Sequence, residues 1–545
     1  MKNSKQLSVL INCIGLLCML VFLSLRYEAL IDSDAAAQTL LAKLLTQTGG
    51  IITDRWYYST EICVANMQLL LKLAFIFFSD YKQARLFATL IYMLLIIASF
   101  LFMMKAAGLF KAGLLASAFL LFPFNEQYVE YMVVYLGYGV YIFFSFLIMG
   151  TLFLLLDNVG FQDKGLLPVF KEKGAKFKTL ALAFAGAALC FIVSLNGFRQ
   201  LMILNAPLFV TGLILIIYDL YRHWKEDGVL SLCFGKGLFI TVISVVYAVA
   251  SLCGVLTSRV LLAEYFSSSK VYQWNSFQFY NLYNCVIDIA NYFGWTGKQN
   301  IFSFFGLVDL LSLLMLIFTI YAIIKMVTGF EERSDSEKVL LIYTLSTMVI
   351  LLFLYSMINM YSARYWLVIM QFVYTIPCII LAEREDKRSS AIYLGIICLI
   401  MLISLSQFKA SEIGKEKSAY VEAEKWLTDN GYKQGYANYW QSNLFAELSS
   451  GALEMYTMSE DVEGSVDRLY ELQSTERWLQ DKKHTTELPK GEFFVMLTKQ
   501  YFHFDDKDEA KLLSLPQYLV YDNEYVKIYA FKDMEEYKTA MASIQ

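Results

Sequence analysis

Charged residues are scarce in this chain. Only 17% of its 545 residues are Asp, Glu, Lys or Arg, against about 25% in an ordinary soluble domain. With 57% hydrophobic residues and a mean hydropathy of +0.49, that scarcity excludes a disordered chain and argues against a wholly soluble one. Histidine is rarer still: His223, His484 and His503 are the only three, so a histidine-based metal site is not expected. Nine cysteines are present, most of them inside apolar runs, and no C-x-x-C or Cys/His ligand spacing occurs. The polar C-terminal part has no cysteine, so no disulfide framework holds it together. P-loop, G-x-G-x-x-G and H-E-x-x-H motifs are all missing. The net charge of −4 and the lack of any nucleic-acid motif exclude a nucleic-acid partner. There is no N-x-S/T sequon, a pattern expected of a bacterial chain. No internal repeat or low-complexity segment stands out.

The charge that is present is unevenly spread. From Lys409 onward there are 25 acidic and 16 basic residues, against 24 acidic and 29 basic before it. This predicts a membrane region, 1–408, followed by a polar domain, 409–545, large enough to fold independently. A spanning helix needs roughly 20 apolar residues. The hydropathy pattern predicts about eleven, at 8–27, 84–104, 109–125, 136–156, 179–196, 201–221, 237–257, 302–325, 339–358, 365–382 and 390–408. The third is short. Lys and Arg collect in alternate short loops, from Lys2 and Lys5 to Arg384, Lys387 and Arg388. That asymmetry predicts a multi-pass protein of the cell membrane with a cytoplasmic N-terminus and an extracytoplasmic C-terminal domain. Ala35-Ala36-Ala37 resembles a signal-peptidase site, but the apolar stretch before it is too long for a typical h-region, so no cleavage is expected.

The outer loops are unusual. Residues 28–83 open with IDSDAAAQTLLAKLL and close with MQLLLKLAFIFF; both read as helices at the membrane surface, the second too short to cross. Residues 258–301 are rich in aromatics, as an interface belt is. The C-terminal domain reads as mixed α/β. An amphipathic helix, KEKSAYVEAEKWLTDNG, precedes strands at GYANYW, EFFVML, YLVY and YVKIYAF.

Several residues can carry chemistry. Asp32-Ser33-Asp34 puts two carboxylates just beyond the first span, where one can serve as general base to an acceptor hydroxyl or bind a divalent cation. The plainer reading is that Asp32 or Ser33 caps the surface helix. In TDRWYYSTE, Arg55 can pair with a phosphate, Trp56, Tyr57 and Tyr58 can stack on a sugar or anchor at the interface, and Glu61 is a further acid. FNEQYVEY places Glu126 and Glu130 one helical turn apart in another outer loop. Arg199, in a very short outer loop, and Arg364, in MYSARYW beside Tyr361, sit where an arginine is costly unless paired or wet; bidentate phosphate pairing would justify each, and snorkelling to headgroups is the alternative. Lys72 and Arg85 are weaker phosphate candidates. Asp309 lies inside a span and is the one acid that suits a transporter's ion site.

IDSDAAAQ, DRWYYSTE and GYANYW, with the outer arginines and the soluble C-terminal domain, resemble the GT-C glycosyltransferases, near the bacterial protein O-mannosyltransferase and aminoarabinose-transferase relatives. The resemblance implies a polytopic α-helical GT-C fold with a C-terminal α/β domain. It implies a polyprenyl-phosphate-linked sugar donor, an extracytoplasmic acceptor and an inverting displacement, with Asp32 or Asp34 as base. Glu126 or Glu130 would be the second outer acid, and Tyr439 and Trp440 would cap the site or hold the acceptor. A flippase of lipid-linked sugars and a non-catalytic membrane scaffold are the rival readings.

Overall fold

A computed structural model of the chain describes residues 2–58, 62, 64–122, 126–135, 137–161, 169–170, 175–228, 235–265, 276–358, 361–383, 395, 413–458, 479–499 and 515–543. It packs as two compact units. One comprises Met1–Met19, Tyr92–Ala263 and Lys270–Phe408; the other comprises Leu20–Ile91, Glu264–Ser269 and Lys409–Gln545.

Among the described residues, nine helices are long and apolar enough to cross a membrane: Gln6–Leu30, Tyr81–Ala106, Gly139–Asn158, Ala175–Ser194, Leu201–Glu226, Lys236–Leu261, Phe304–Thr328, Asp335–Ser356 and Ala363–Glu383. The chain is a multi-pass membrane protein. Two of the eleven expected spans are not among the nine. The segment at 109–125 forms only a short apolar helix, Phe110–Leu120, about three turns and too short to cross. The segment at 390–408 lies outside the described residues.

In the first unit the helices bury small and polar residues where they meet. Asn205, the last residue of a π-helical turn Leu201–Asn205, reaches Ser251 Oγ at 2.7 Å. Tyr343 donates to the Ile203 carbonyl at 2.9 Å, and Gln371 to the Ala116 carbonyl at 2.8 Å. These three side chains thus find partners inside the bundle that lipid could not supply. The aromatic-rich segment 258–301 contains a helix, Phe279–Tyr292. Its Asn281 bonds the Tyr355 and Ile358 carbonyls at 3.3 and 2.9 Å.

Asp309 is buried and holds a turn together. Its carboxylate accepts from the Thr296 amide and hydroxyl and from the Gly297 amide. Gly297 has φ +65°, a backbone region that glycine enters without steric cost. The carboxylate that a transport reading would assign to an ion is therefore occupied by this loop.

In the second unit, helix Ser33–Thr48 follows the first span directly, with Asp32 as its N-cap. The second expected surface helix is Met67–Ala74. A five-stranded sheet runs in the order Glu454–Thr457, Gln434–Ala437, Phe493–Thr498, Val526–Phe531, Leu519–Asp522. The first three strands are parallel and the last two pairings antiparallel. Its core includes Tyr436, Phe493, Val495, Tyr529 and Phe531, closed by Tyr537 and Met541 of helix Met534–Ala542. The expected amphipathic helix is Ile413–Asp429. GYANYW, read as a strand, is half strand and half helix. The strand stops at Ala437, Asn438 caps the Gln441 amide, and Tyr439–Leu448 is helical.

Candidate active site

The acidic candidate residues Asp32 and Asp34 lie in the second unit. Asp32 has extended backbone and its carboxylate accepts from the Ala35 amide at 2.7 Å, satisfying a helix-start donor that would otherwise have no partner. Asp34, in the first turn of the same helix, is half-buried and accepts a hydrogen bond from the Tyr439 hydroxyl. Ser33 between them is fully buried, and its hydroxyl donates to the Tyr439 carbonyl. One tyrosine is thus bonded at both its phenol and its carbonyl to successive residues of the D-S-D motif. Lys417 adds a bond to the Ile31 carbonyl at 2.6 Å.

Behind this turn lies a buried ionic knot. Arg85 and Glu447 pair at 3.1 Å with no exposure of either side chain. The Arg85 guanidinium also donates to the Ala35 carbonyl at 2.5 Å and to the Thr39 hydroxyl, and the Tyr27 phenol donates to Glu447. An arginine so enclosed is structural, which removes it as a phosphate candidate. The knot joins residues from the end of the first span, from helix Ser33–Thr48, from Tyr81–Ala106 and from helix Tyr439–Leu448.

The TDRWYYSTE segment is built differently from its sequence reading. Trp56–Tyr57 pairs antiparallel with Gln480–Asp481. Arg55 forms an ion pair with Asp481 at 2.9 Å, so its charge already has a carboxylate partner and a donor phosphate is not needed to balance it. Trp56 and Tyr58 are only 2% and 3% exposed, which leaves neither ring face free to stack on a sugar; both are packing residues. Tyr58 accepts from the Thr53 amide at 3.1 Å. Tyr57 is half-buried, its hydroxyl 3.4 Å from Thr485 and its ring beneath Lys482. Lys72 donates to the Gly50 carbonyl at 2.6 Å. Trp440 is exposed and lies edge-on to Tyr439. Glu61 lies outside the described residues, as does the side chain of Glu126.

The arginines Arg199 and Arg364 lie in the first unit. Arg364 opens the span Ala363–Glu383, half-buried, with its Nη1 on the Tyr131 hydroxyl at 2.9 Å and its guanidinium 4.8 Å over the same ring. Arg199 lies 4.7 Å over Tyr138 and 5.1 Å over Tyr141. Tyr138 in turn meets Tyr131 edge-on at 5.9 Å and Tyr365 at 6.3 Å. One aromatic cluster therefore carries both arginines, through cation–π contacts that weaken neither charge. Among the described residues Arg364 meets tyrosines and no carboxylate, and its Nε is buried without a hydrogen-bond partner. Glu130 is half-buried in the π-helical turn Val129–Val134.

Tyr361 belongs to the same cluster, against Tyr355 and Tyr365. Its hydroxyl donates to Asp288 at 2.7 Å and accepts from the Trp366 indole at 2.9 Å. Asp288, on helix Phe279–Tyr292, is an acid the sequence reasoning missed. Burial pushes its carboxyl up, opposed by the Tyr361 bond. Among the described residues no group of three His, Cys, Asp or Glu side chains is placed to hold a metal ion.

No protein-family model matches the chain, and no curated protein matches it in sequence. Solved structures do match. ArnT from Cupriavidus metallidurans, crystallised with undecaprenyl phosphate, is 14% identical over 96% of this chain and 97% of its own, with a TM-score of 0.54. The fold is that of the GT-C glycosyltransferases. The apo oligosaccharyltransferase of Archaeoglobus fulgidus is 12% identical with a TM-score of 0.46, over 90% of this chain and 69% of its own. AglB of the same organism, in complex with an inhibitory peptide and a dolichol-phosphate, is 10% identical with a TM-score of 0.45, over 93% of this chain and 72% of its own.

Two partnerships are out of reach of sequence reading, and one acid, Asp288, carries only a faint signal. The partners of Tyr439 and Arg85, Asp34 and Glu447, are 405 and 362 residues away in the chain. Asp288 carried no motif, although its i+3 neighbour Asn291 and the helical spacing around it are in the sequence.

Proposed function

We propose that this protein is a membrane glycosyltransferase that moves a sugar from a polyprenyl-phosphate-linked donor to an acceptor on the extracytoplasmic side, with the N-terminus cytoplasmic and the C-terminal domain outside. The observation that carries the reading is Arg364: a half-buried guanidinium at the mouth of a span, stacked on tyrosines and facing no carboxylate among the described residues. Such a charge calls for an anion, and a lipid-borne phosphate is an anion that reaches the membrane border. Arg199, on the same tyrosine cluster, is the second phosphate ligand.

Asp34 is the general base and Asp32 the helix cap. The Ala35 amide already engages Asp32, whereas Asp34 contacts a side chain that fixes its direction. In the reaction Asp34 takes the proton of the acceptor hydroxyl as that oxygen attacks the anomeric carbon. The bond from that carbon to the phosphate oxygen breaks on the opposite face, polyprenyl phosphate leaves with the electron pair, and configuration inverts. Phosphate leaves readily once its charge is matched, so guanidinium stabilisation of the departing group is the larger contribution and base catalysis the smaller.

The test is an assay of purified full-length protein against a panel of polyprenyl-phosphate-linked sugars. Transfer by the wild type and its loss in Asp34→Asn, at unchanged expression, supports the reading. Undiminished transfer in both Asp32→Asn and Asp34→Asn defeats it.

A further inference from the structure

We infer that Tyr439, a residue of the C-terminal domain, is the positioning residue of Asp34. This rests on the reading of Asp34 as the base and adds to it: the base is held in register by a helix that begins about 400 residues later in the chain. Four observations converge. The Tyr439 phenol donates to Asp34 Oδ1. The Tyr439 carbonyl accepts from Ser33, so the tyrosine cannot slide along the first turn without breaking a second bond. Tyr439 is 6% exposed, so the bond is sheltered from competing water. Glu447, eight positions further along the same helix, is locked by the fully buried pair with Arg85, which itself holds the Ala35 carbonyl and Thr39. Helix Tyr439–Leu448 is therefore fastened to helix Ser33–Thr48 at both ends.

The chemical consequence follows from where the phenol donates. A donor on Oδ1 removes the carboxylate's rotational freedom and directs the other oxygen to the acceptor proton. It also favours the charged form, which keeps the base deprotonated. Of the charged groups on neighbouring elements, Arg85 pairs with Glu447, Lys82 with Glu28 and Asp481 with Arg55, while Lys417 donates to the Ile31 carbonyl and Lys72 to the Gly50 carbonyl. On the helix itself Asp32 caps Ala35 and Lys43 lies over the Phe75 ring.

The experiment uses the full-length protein in detergent and a hydrophobic carbodiimide, which reacts with protonated carboxyls. Labelling of Asp34 is followed by peptide mass spectrometry across pH. Tyr439→Phe keeps the ring and loses the donor; the pH at which half the labelling is lost moves up by about one unit. Replacing Tyr439 by 3,5-difluorotyrosine keeps the ring and hydroxyl and strengthens the donor, so the midpoint moves down. Tyr27→Phe, which disturbs only the Glu447 end, leaves it in place. On the donor that supports turnover, Tyr439→Phe lowers kcat about tenfold with donor KM unchanged. An Asp34 midpoint that is the same in the wild type and both Tyr439 variants overturns the inference. So does a Tyr27→Phe shift as large as that of Tyr439→Phe, since the effect would then be general loosening. Full turnover in Asp34→Asn overturns the base reading itself; a dead Asp34→Asn with an unmoved Tyr439→Phe overturns the role of Tyr439 alone.

Discussion

Arg85 and Glu447 form an ion pair in which neither side chain touches solvent, though 362 residues separate them. Removing one member leaves the other charge buried without its counterion, which costs about 3–5 kcal/mol. Arg85→Leu and Glu447→Leu are each expected to lower the unfolding midpoint of the detergent-purified protein sharply. The double variant is expected to lose less than the two added together, which a double-mutant cycle measures.

Asp32 and Asp34 part company under substitution. Asp32→Ala removes the cap on Ala35 and is expected to cost about 1 kcal/mol of stability, whereas Asp32→Asn, itself a good cap, is nearly neutral. Both variants retain transfer. Denaturant unfolding and the sugar-transfer assay, run on the same preparations, separate the two effects.

The arginines on the tyrosine cluster should report on the donor. Arg364→Ala and Arg199→Ala are each expected to raise the donor KM by roughly 10- to 100-fold while changing the acceptor KM little. Arg199→Lys recovers only part of this, because an ammonium does not reproduce the planar contact with Tyr138 at 4.7 Å. Steady-state kinetics with each substrate varied in turn provides the check.

Stability in acid should depend on Glu454. A hydrogen bond from His484, joined by Lys483, holds its carboxyl down at about 2 against the opposing effect of burial. A carboxylate depressed in the folded state contributes stability above its unfolded value, about 4.3, and loses it as pH falls toward 2. The wild-type unfolding midpoint is therefore expected to fall between about pH 4.5 and 2 more steeply than that of Glu454→Gln, which scanning calorimetry across pH resolves.

Much of the fold was legible because lipid imposes a coarse rule. A run of about 20 apolar residues is visible in any sequence, and eight of the eleven expected spans, from 84–104 and 302–325 to 365–382, recur within a few residues alongside the first helix. The short segment at 109–125 shows the limit, since buried apolar helices and spanning ones share a composition. Site residues were harder. Asp32 as cap was readable from its place before a helical run, and the place of Arg364 at a span's start from the hydropathy that follows it. Trp56 and Tyr58 were misjudged because aromatic composition does not separate an exposed platform from a packed core. The strand at Glu454–Thr457 is not legible because its short EMYT sequence has little alternation to read, its place at the sheet edge coming from one parallel neighbour, Gln434–Ala437.

The two-point contact between Tyr439 and the D-S-D turn bears on how this protein can be re-engineered. Chimeras that exchange the region after the last span, as though it were a detachable module, would import a foreign helix against a native first loop and lose both fastenings at once. Grafts that carry helix Ser33–Thr48 together with helix Tyr439–Leu448 preserve them, so the practical unit of exchange is discontinuous in the chain.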